Sequence, residues 1–310
     1  MIVCLGTTPV YQRSMVFERL RPNGVNRAAA VHDYASGKSI NVARVLHTLG
    51  EGVVATGFVG RGVRGDALLA DLDAAGIRHD FVRVDSPARQ CITLIDRAAG
   101  TATELVEESG AVTADDCGEL ARRLAALEPA AKGWVMSGSL PPGAPDSFYA
   151  GCLDFVKGHP AILDARGGPL REAIETPGLP GFVVKLNRDE LAETVGFPVD
   201  SDDAVRHAAR QVAPAEGGAV ITGGAGAVTV FDGERFWRVE PPPVKARSAV
   251  GSGDSFSAGM MIGLLSGKPL AEACALGAAC GAANAMTDKA GFLSRADVEA
   301  LLARVRAEPM

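Results

Sequence analysis

Val53-Val54-Ala55-Thr56-Gly57-Phe58-Val59 is an unbroken apolar run, and a helical pattern from Asp66 to Ala75 follows it across Gly60-Arg61-Gly62-Val63-Arg64-Gly65. A run with no polar face predicts a strand buried on both sides. Working outward, the theme recurs. Gly133-Trp134-Val135-Met136-Ser137, Ala161-Ile162-Leu163-Asp164-Ala165, Phe182-Val183-Val184-Lys185 and Ala219-Val220-Ile221-Thr222 each precede a helical or Gly-rich stretch. Strands alternating with helices predict an α/β fold with a mostly parallel sheet covered on both faces. Two regions break the alternation, residues 10–36 and 88–108, with short strands of mixed polarity; Cys91-Ile92-Thr93-Leu94-Ile95 is the clearest. They predict a small antiparallel flap off the main sheet. No repeat, low-complexity tract or linker interrupts the chain, so the reading is one domain over residues 1–310 with lid segments at about 10–36 and 88–108.

Composition narrows the function. The chain is 47% hydrophobic, 22% charged and 5% aromatic, which excludes disorder, collagen and coiled coil as its main state. Lys and Arg number 31 against 37 Asp and Glu, a net charge of −6, so binding nucleic acid or an anionic membrane through bulk charge is excluded. Met1-Ile2-Val3-Cys4-Leu5-Gly6 lacks a basic segment and a long apolar one, and reads as a first strand rather than a signal peptide. The longest apolar stretch, about Phe256 to Leu265, is too short to span a bilayer. The cysteines (4, 91, 117, 152, 274 and 280) are scattered with no C-x-x-C pair, so a reduced, cytoplasmic protein is expected, with Cys274 and Cys280 as buried thiols.

Glycine clusters mark candidate sites. Gly60 to Gly65 matches G-x-G-x-x-G between a strand and a helix, a dinucleotide-binding pattern. That fingerprint belongs to a first βα unit, and an earlier strand and helix precede this one; a plain Gly-rich turn is the competing reading. Gly37-Lys38-Ser39 ends like a Walker loop, but His32 stands where the loop needs a glycine. What survives is a Gly-Lys pair opening a helix from Ser39 to Leu49, either an anion site or an ordinary helix start. The third cluster, Ala249-Val250-Gly251-Ser252-Gly253-Asp254-Ser255-Phe256-Ser257-Ala258-Gly259, opens an apolar helix running to about Leu265. Glycines flanking Ser252 let backbone N–H groups converge, and Asp254 beside such a cradle suits a general base that accepts a hydroxyl proton. The alternative is an Asp that caps its own helix.

This cluster, with Ala35-Ser36-Gly37-Lys38-Ser39-Ile40-Asn41-Val42-Ala43, Leu49-Gly50 and Gly57-Phe58-Val59-Gly60, resembles the signatures of the ribokinase-like (PfkB) carbohydrate kinases. Ser137-Gly138-Ser139-Leu140-Pro141-Pro142-Gly143 and Lys185-Leu186-Asn187-Arg188-Asp189-Glu190-Leu191 are family-like and co-linear with them. Val25-Asn26-Arg27 and Ala88-Arg89-Gln90-Cys91 are similar to the branch of 1-phosphofructokinase and tagatose-6-phosphate kinase. The resemblance implies a doubly wound sheet with a β-lid and transfer of the γ-phosphoryl of ATP to a sugar hydroxyl. It implies Asp254 as base, and Gly251, Ser252 and Gly253 as an anion hole. It implies Asn187 and Glu190 as the element that organises Mg2+ through water; read without the family, the same pair is a helix capping box. Lys185, Asn187, Thr222, Gly224, Gly226 and Asn284 would face ATP, with Asn284 beside the adenine. Gly37, Lys38 and Asn41 would hold the acceptor, and Arg89 and Ser139 its existing phosphate. A homodimer is implied through the apolar face of the lid.

Two departures fall on the acceptor side. Gln12, in Thr8-Pro9-Val10-Tyr11-Gln12, stands where the branch carries a sugar-binding Asp, and an amide accepts more weakly than a carboxylate. The usual G-G-K-G reads Ser36-Gly37-Lys38-Ser39, which is expected to crowd the ligand. The expectation is therefore an ATP- and Mg2+-dependent kinase of a phosphorylated ketohexose, of fructose 1-phosphate or tagatose 6-phosphate type, with altered sugar preference. The alternatives are a kinase of an unphosphorylated sugar or nucleoside, a sugar-phosphate-sensing pseudokinase and, from the Gly60 pattern, a dinucleotide-dependent oxidoreductase.

Overall fold

A computed structural model describes residues 1–156 and 158–310. The chain begins with β1 (Ile2–Gly6), β2 (Val10–Phe17), β3 (Ala30–Ser36), α1 (Lys38–Thr48), β4 (Val53–Arg61) and α2 (Val63–Ala74). Next come β5 (His79–Pro87), β6 (Gln90–Asp96), β7 (Thr101–Val106), α3 (Ala114–Leu127), β8 (Gly133–Ser137), α4 (Phe148–Leu153), β9 (Ala161–Asp164) and α5 (Gly167–Ile174). The second half holds β10 (Phe182–Asn187), α6 (Arg188–Val195), α7 (Asp202–Val212), β11 (Gly218–Gly223), β12 (Gly226–Phe231) and β13 (Phe236–Glu240). It closes with α8 (Ser252–Leu265), α9 (Leu270–Ala285), α10 (Arg295–Leu302) and β14 (Arg306–Pro309).

These strands form a large sheet in the order β14-β13-β12-β11-β10-β9-β8-β1-β4-β5, parallel from β11 through to β5. Period-two alternation divides each buried strand between two cores. Along β1, Val3 and Leu5 join the core beneath α3 to α7, while Ile2 and Cys4 join the core beneath α1, α2 and α8. The chain turns one way from β1 to β4 and the other from β8 to β9. The sheet therefore reverses between β1 and β8, and a crevice opens at the carboxyl ends of these strands. Gly6, Ser137, Asp164, Asn187 and Thr222 share that end.

The lid is a four-stranded sheet in the order β3-β2-β6-β7. It is not wholly antiparallel, as the sequence suggested: β2 and β6 pair in parallel, because the chain returns to the lid from β5 rather than through a hairpin. The Gly60-to-Gly65 pattern resolves as packing. A Cβ on Gly60 would lie 2.1 Å from the Ala88 nitrogen, and one on Gly65 would lie 1.8 Å from the Gly60 carbonyl oxygen. Small residues likewise let α8 and α9 touch: a Cβ on Gly263 would stand 2.5 Å from the Ala273 Cα. Cys274 and Cys280 are free and buried in this contact, which pushes the Cys280 thiol up to about 12. Among the described residues no helix is long and apolar enough to cross a membrane.

Candidate active site

The opening of α8 is built on backbone. Gly251 adopts φ 81°, a left-handed conformation, with Ala290 so close that a Cβ would lie 2.7 Å from the Ala290 Cβ. Ser252 N–H donates to the Ala249 carbonyl at 3.1 Å, but among the described residues the N–H groups of Gly251, Gly253 and Asp254 have no hydrogen-bond partner. Unpartnered N–H groups at the positive end of a helix make an anion hole. Asp254 lies inside the first turn and does not cap the helix with its side chain. Its Oδ2 instead accepts from Asn41 Nδ2 at 2.7 Å, and Asn41 Oδ1 accepts from Ser36 Oγ at 2.9 Å. With 9% of its surface exposed, Asp254 is pushed up to about 6. Burial is the largest cause and the Asp164 charge adds to it; Lys38, the Asn41 hydrogen bond and Lys185 oppose it.

Asp164, which sequence analysis quoted only as part of a strand, is the electrostatic centre. At the carboxyl end of β9 it is buried, with Lys185 Nζ donating to Oδ2 at 2.5 Å and Lys38 Nζ donating to Oδ1 at 2.6 Å. Burial opposes its ionisation, but the two ammonium groups hold its carboxyl below the usual range. Lys38 also reaches Glu190 Oε1 at 3.3 Å. Burial would lower the Lys38 pKa, yet Asp164, Glu190 and Asp254 together keep it above the ordinary lysine value. Lys185 lies beside the anion hole, since a Cβ on Gly253 would be 3.4 Å from its Nζ.

Asn187 and Glu190 form a capping box at the start of α6. Asn187 Oδ1 accepts from Glu190 N–H at 2.8 Å, and Glu190 Oε2 accepts from Asn187 N–H at 2.9 Å. This leaves Glu190 Oε1 turned toward Lys38 and Asp164. Among the described residues no cluster of three or more His, Cys, Asp or Glu can cage a metal. Carboxylate oxygens from Asp164 and Glu190 that converge on one ammonium are nevertheless the hard donor set Mg2+ takes when it keeps waters and binds phosphate oxygens.

Among the residues expected to face a nucleotide, Thr222 pairs with Asn187 across β10 and β11, and Gly224, at φ 65°, turns the hairpin that ends at Gly226. Asn284, expected beside the adenine, closes the end of α9. It is fully buried; its Nδ2 donates to the Val250 carbonyl (2.9 Å) and Ser252 Oγ (3.2 Å), and its Oδ1 accepts from Gly291 N–H (2.7 Å). It ties the α8 opening to the loop after α9.

On the acceptor side, Gly37 caps α1 at φ 110° against Pro9. Ser39 does not crowd a ligand: it is buried over Gly6, where a Cβ would fall 2.0 Å from Ser39 Oγ. Gln12 is buried, its Nε2 donating to Thr93 Oγ1 at 2.8 Å. Arg89 lines a small cavity with Thr8, Phe58, Ser109 and Pro141. Its guanidinium donates to the Thr8 carbonyl at 2.8 Å and the Glu107 carbonyl at 3.2 Å. Ser139 is exposed, and its carbonyl accepts from Thr7 Oγ1 at 2.7 Å, bridging β8 to the loop after β1.

The model of the pfkB family carbohydrate kinases matches residues 1–295. Phosphofructokinase-2 from Escherichia coli, solved with potassium, superposes with a TM-score of 0.87 at 27% identity, covering 98% of each chain. That protein is also described in a tetrameric inhibited form, at TM-score 0.86, 27% identity and 98% coverage of each chain. A 1-phosphofructokinase candidate from Thermotoga maritima superposes with a TM-score of 0.91 at 24% identity, covering 100% of this chain and 99% of that one, and shares the fold.

Proposed function

The chain belongs to the pfkB family of carbohydrate kinases, phosphotransferases that act on a sugar hydroxyl, and on that premise we propose that it transfers the γ-phosphoryl of ATP to a phosphorylated ketohexose of fructose 1-phosphate or tagatose 6-phosphate type. The observation that carries this reading is Asp254, held by Asn41 beside three unpartnered N–H groups. Asp254 Oδ1 takes the proton of the acceptor hydroxyl as its oxygen bonds to the γ-phosphorus and the bond to ADP breaks. With a carboxyl pushed up to about 6, Asp254 is ionised at neutral pH yet basic enough to hold that proton. The N–H groups of Gly251, Gly253 and Asp254 stabilise negative charge on the transferring group, and Lys185 adds a positive charge at their edge. Mg2+, when bound, neutralises phosphate charge; Glu190 and Asp164 would hold it with Asn187, largely through water. Lys38, at the mouth of this carboxylate pair, would offer its ammonium to substrate phosphate or hydroxyl groups.

Arg89 and Ser139 face the acceptor's existing phosphate in this reading, Gln12 and Asn41 its hydroxyls, and the nucleotide lies along Thr222, Gly224 and Gly226. Exposed Leu105 and Val106 on the lid favour a homodimer that covers them. A second reading, phosphorylation of a free sugar or nucleoside, draws on the guanidinium of Arg89, which already bonds two backbone carbonyls, and on buried Gln12. ATP consumption with Mg2+ across free sugars, sugar phosphates and nucleosides separates the two. Turnover of one ketohexose phosphate, lost in Asp254→Asn, supports the first; turnover of unphosphorylated acceptors alone supports the second.

A further inference from the structure

A second cavity, of about 480 Å3, lies outside the site above, between the free edge of β3, α1, the last turn of α2 and the loop after α9. That volume is in the range of small-molecule pockets. Its charged lining is His32, Asp33, Arg44, Asp71 and Lys289. The carboxylates are already engaged. Asp33 pairs through both oxygens with Arg13, at 2.7 Å each, and Asp71 Oδ2 accepts from Arg44 Nη2 (2.7 Å) and Ala35 N–H (3.1 Å).

The cations are less satisfied. Arg44 is 6% exposed, its Nη2 is bonded to Asp71 and the Ala35 carbonyl, and its buried Nε has no hydrogen-bond partner among the described residues. Lys289 Nζ makes no ion pair or hydrogen bond among the described residues and lies 3.7 Å from the centre of the Phe292 ring. The Arg44 guanidinium lies over the same ring at 4.6 Å. Burial and then the Arg44 charge lower the Lys289 pKa, and the Asp71 carboxylate opposes them only in part, so two like charges face one aromatic ring with a carboxylate that is already bonded to Arg44. A bound anion relieves that repulsion and supplies the missing acceptors.

The neighbours of these residues in the chain touch the Asp254 site from behind. Arg44 is one helical turn from Asn41 on α1. A Cβ on Gly291 would lie 2.8 Å from the Asn41 Cα, and Ala290, next to Lys289, packs on Gly251. The loop is braced by Ala290 N–H donating to Tyr34 Oη at 3.0 Å and by Gly291 N–H donating to Asn284.

We propose that this cavity is an effector site for a small anion bearing a phosphate or carboxylate group, held between Arg44 and Lys289, and that its occupancy alters turnover through the loop at Ala290 and Gly291. The site is separate from the one that binds the reactants and does not depend on which sugar is the acceptor. Titration calorimetry with inorganic phosphate, in the presence of saturating ATP to fill the anion hole, measures it directly. Wild type is expected to bind phosphate at this cavity in addition to the acceptor-phosphate position at Arg89, and Lys289→Met, which keeps the stem on Phe292, to bind it at the cavity about tenfold or more weakly with the other binding event unchanged. Equal binding by the two proteins, or none by wild type, overturns the proposal. Crystals of the wild type soaked in selenate give a test that needs no variant. Anomalous density between Arg44 and Lys289 supports the site, and density confined to the Gly251–Gly253 hole overturns it. Phosphate is also expected to change the rate of wild type at saturating ATP and acceptor but not that of Lys289→Met; an identical response in both overturns the coupling.

Discussion

The two halves of the active site are constructed differently. Around Asp254 and Asp164 the working groups are buried and each is held by a partner from a distant element: Asn41 on Asp254, Lys38 and Lys185 on Asp164, Asn284 on the α8 opening. On the lid side, Gln12 bonds to another lid strand, and Arg89 leans on carbonyls of its surroundings. The first half pre-organises a reaction whose charge develops in the same place for every substrate. The second half sits on short strands whose side chains can change without disturbing the large sheet.

Substitutions can break or sharpen this contrast. The largest effect is expected from Asp254→Asn, with kcat lowered by roughly 10²–10⁴ and binding of ATP retained. The same change is expected to stabilise the protein. Because the folded Asp254 pKa lies above the ordinary carboxylate value, its ionisation opposes folding. The loss begins as pH rises from the ordinary Asp range, and is complete above about 6. Asp254→Asn should therefore raise Tm by several degrees in mildly alkaline buffer, and the gain should vanish in acid; thermal melts at both pH values check this.

Asp164→Asn comes next. It leaves the buried Lys185 ammonium without its carboxylate and the partly exposed Lys38 with Glu190 alone, at a cost of about 3–5 kcal/mol in stability by denaturant unfolding, together with weaker Mg2+ dependence of the rate. Asn41→Ala removes the hydrogen bond that lowers the Asp254 pKa, so the acid limb of the pH–rate profile should move upward from about 6. The smallest effect on nucleotide binding belongs to Gln12→Asp, which places a carboxylate at a buried lid position and removes the donor to Thr93. It is expected to change the ranking of acceptors in kcat/KM while leaving KM for ATP within about twofold, since an uncharged lid contact is a small part of the total.

The contrast also explains what was legible in the sequence. The parallel core strands could be read because their apolar runs have no polar face, and the α8 opening because converging backbone N–H groups require glycine at Gly251 and a small residue at Gly253. Asp164 was hidden: at the end of an apolar strand it looks like any strand-terminal Asp, and its partners lie 126 residues before and 21 residues after it. Ser39 was misread because the spacing of a loop does not reveal which way a side chain turns, and here it turns onto Gly6. The tie that Asn284 makes from α9 to Val250 and Ser252 was not legible either, since it joins residues more than thirty positions apart. The parallel β2–β6 pairing could not be read locally, since it depends on where the chain re-enters the lid after β5.

The most direct test of the account is the pH dependence of phosphoryl transfer in wild type and Asp254→Asn with the best acceptor found. The account predicts a wild-type rate that falls about tenfold per pH unit below about 6 and a residual Asp254→Asn rate with no such limb. A mutant that keeps the wild-type rate and its acid limb would show that another group takes the hydroxyl proton.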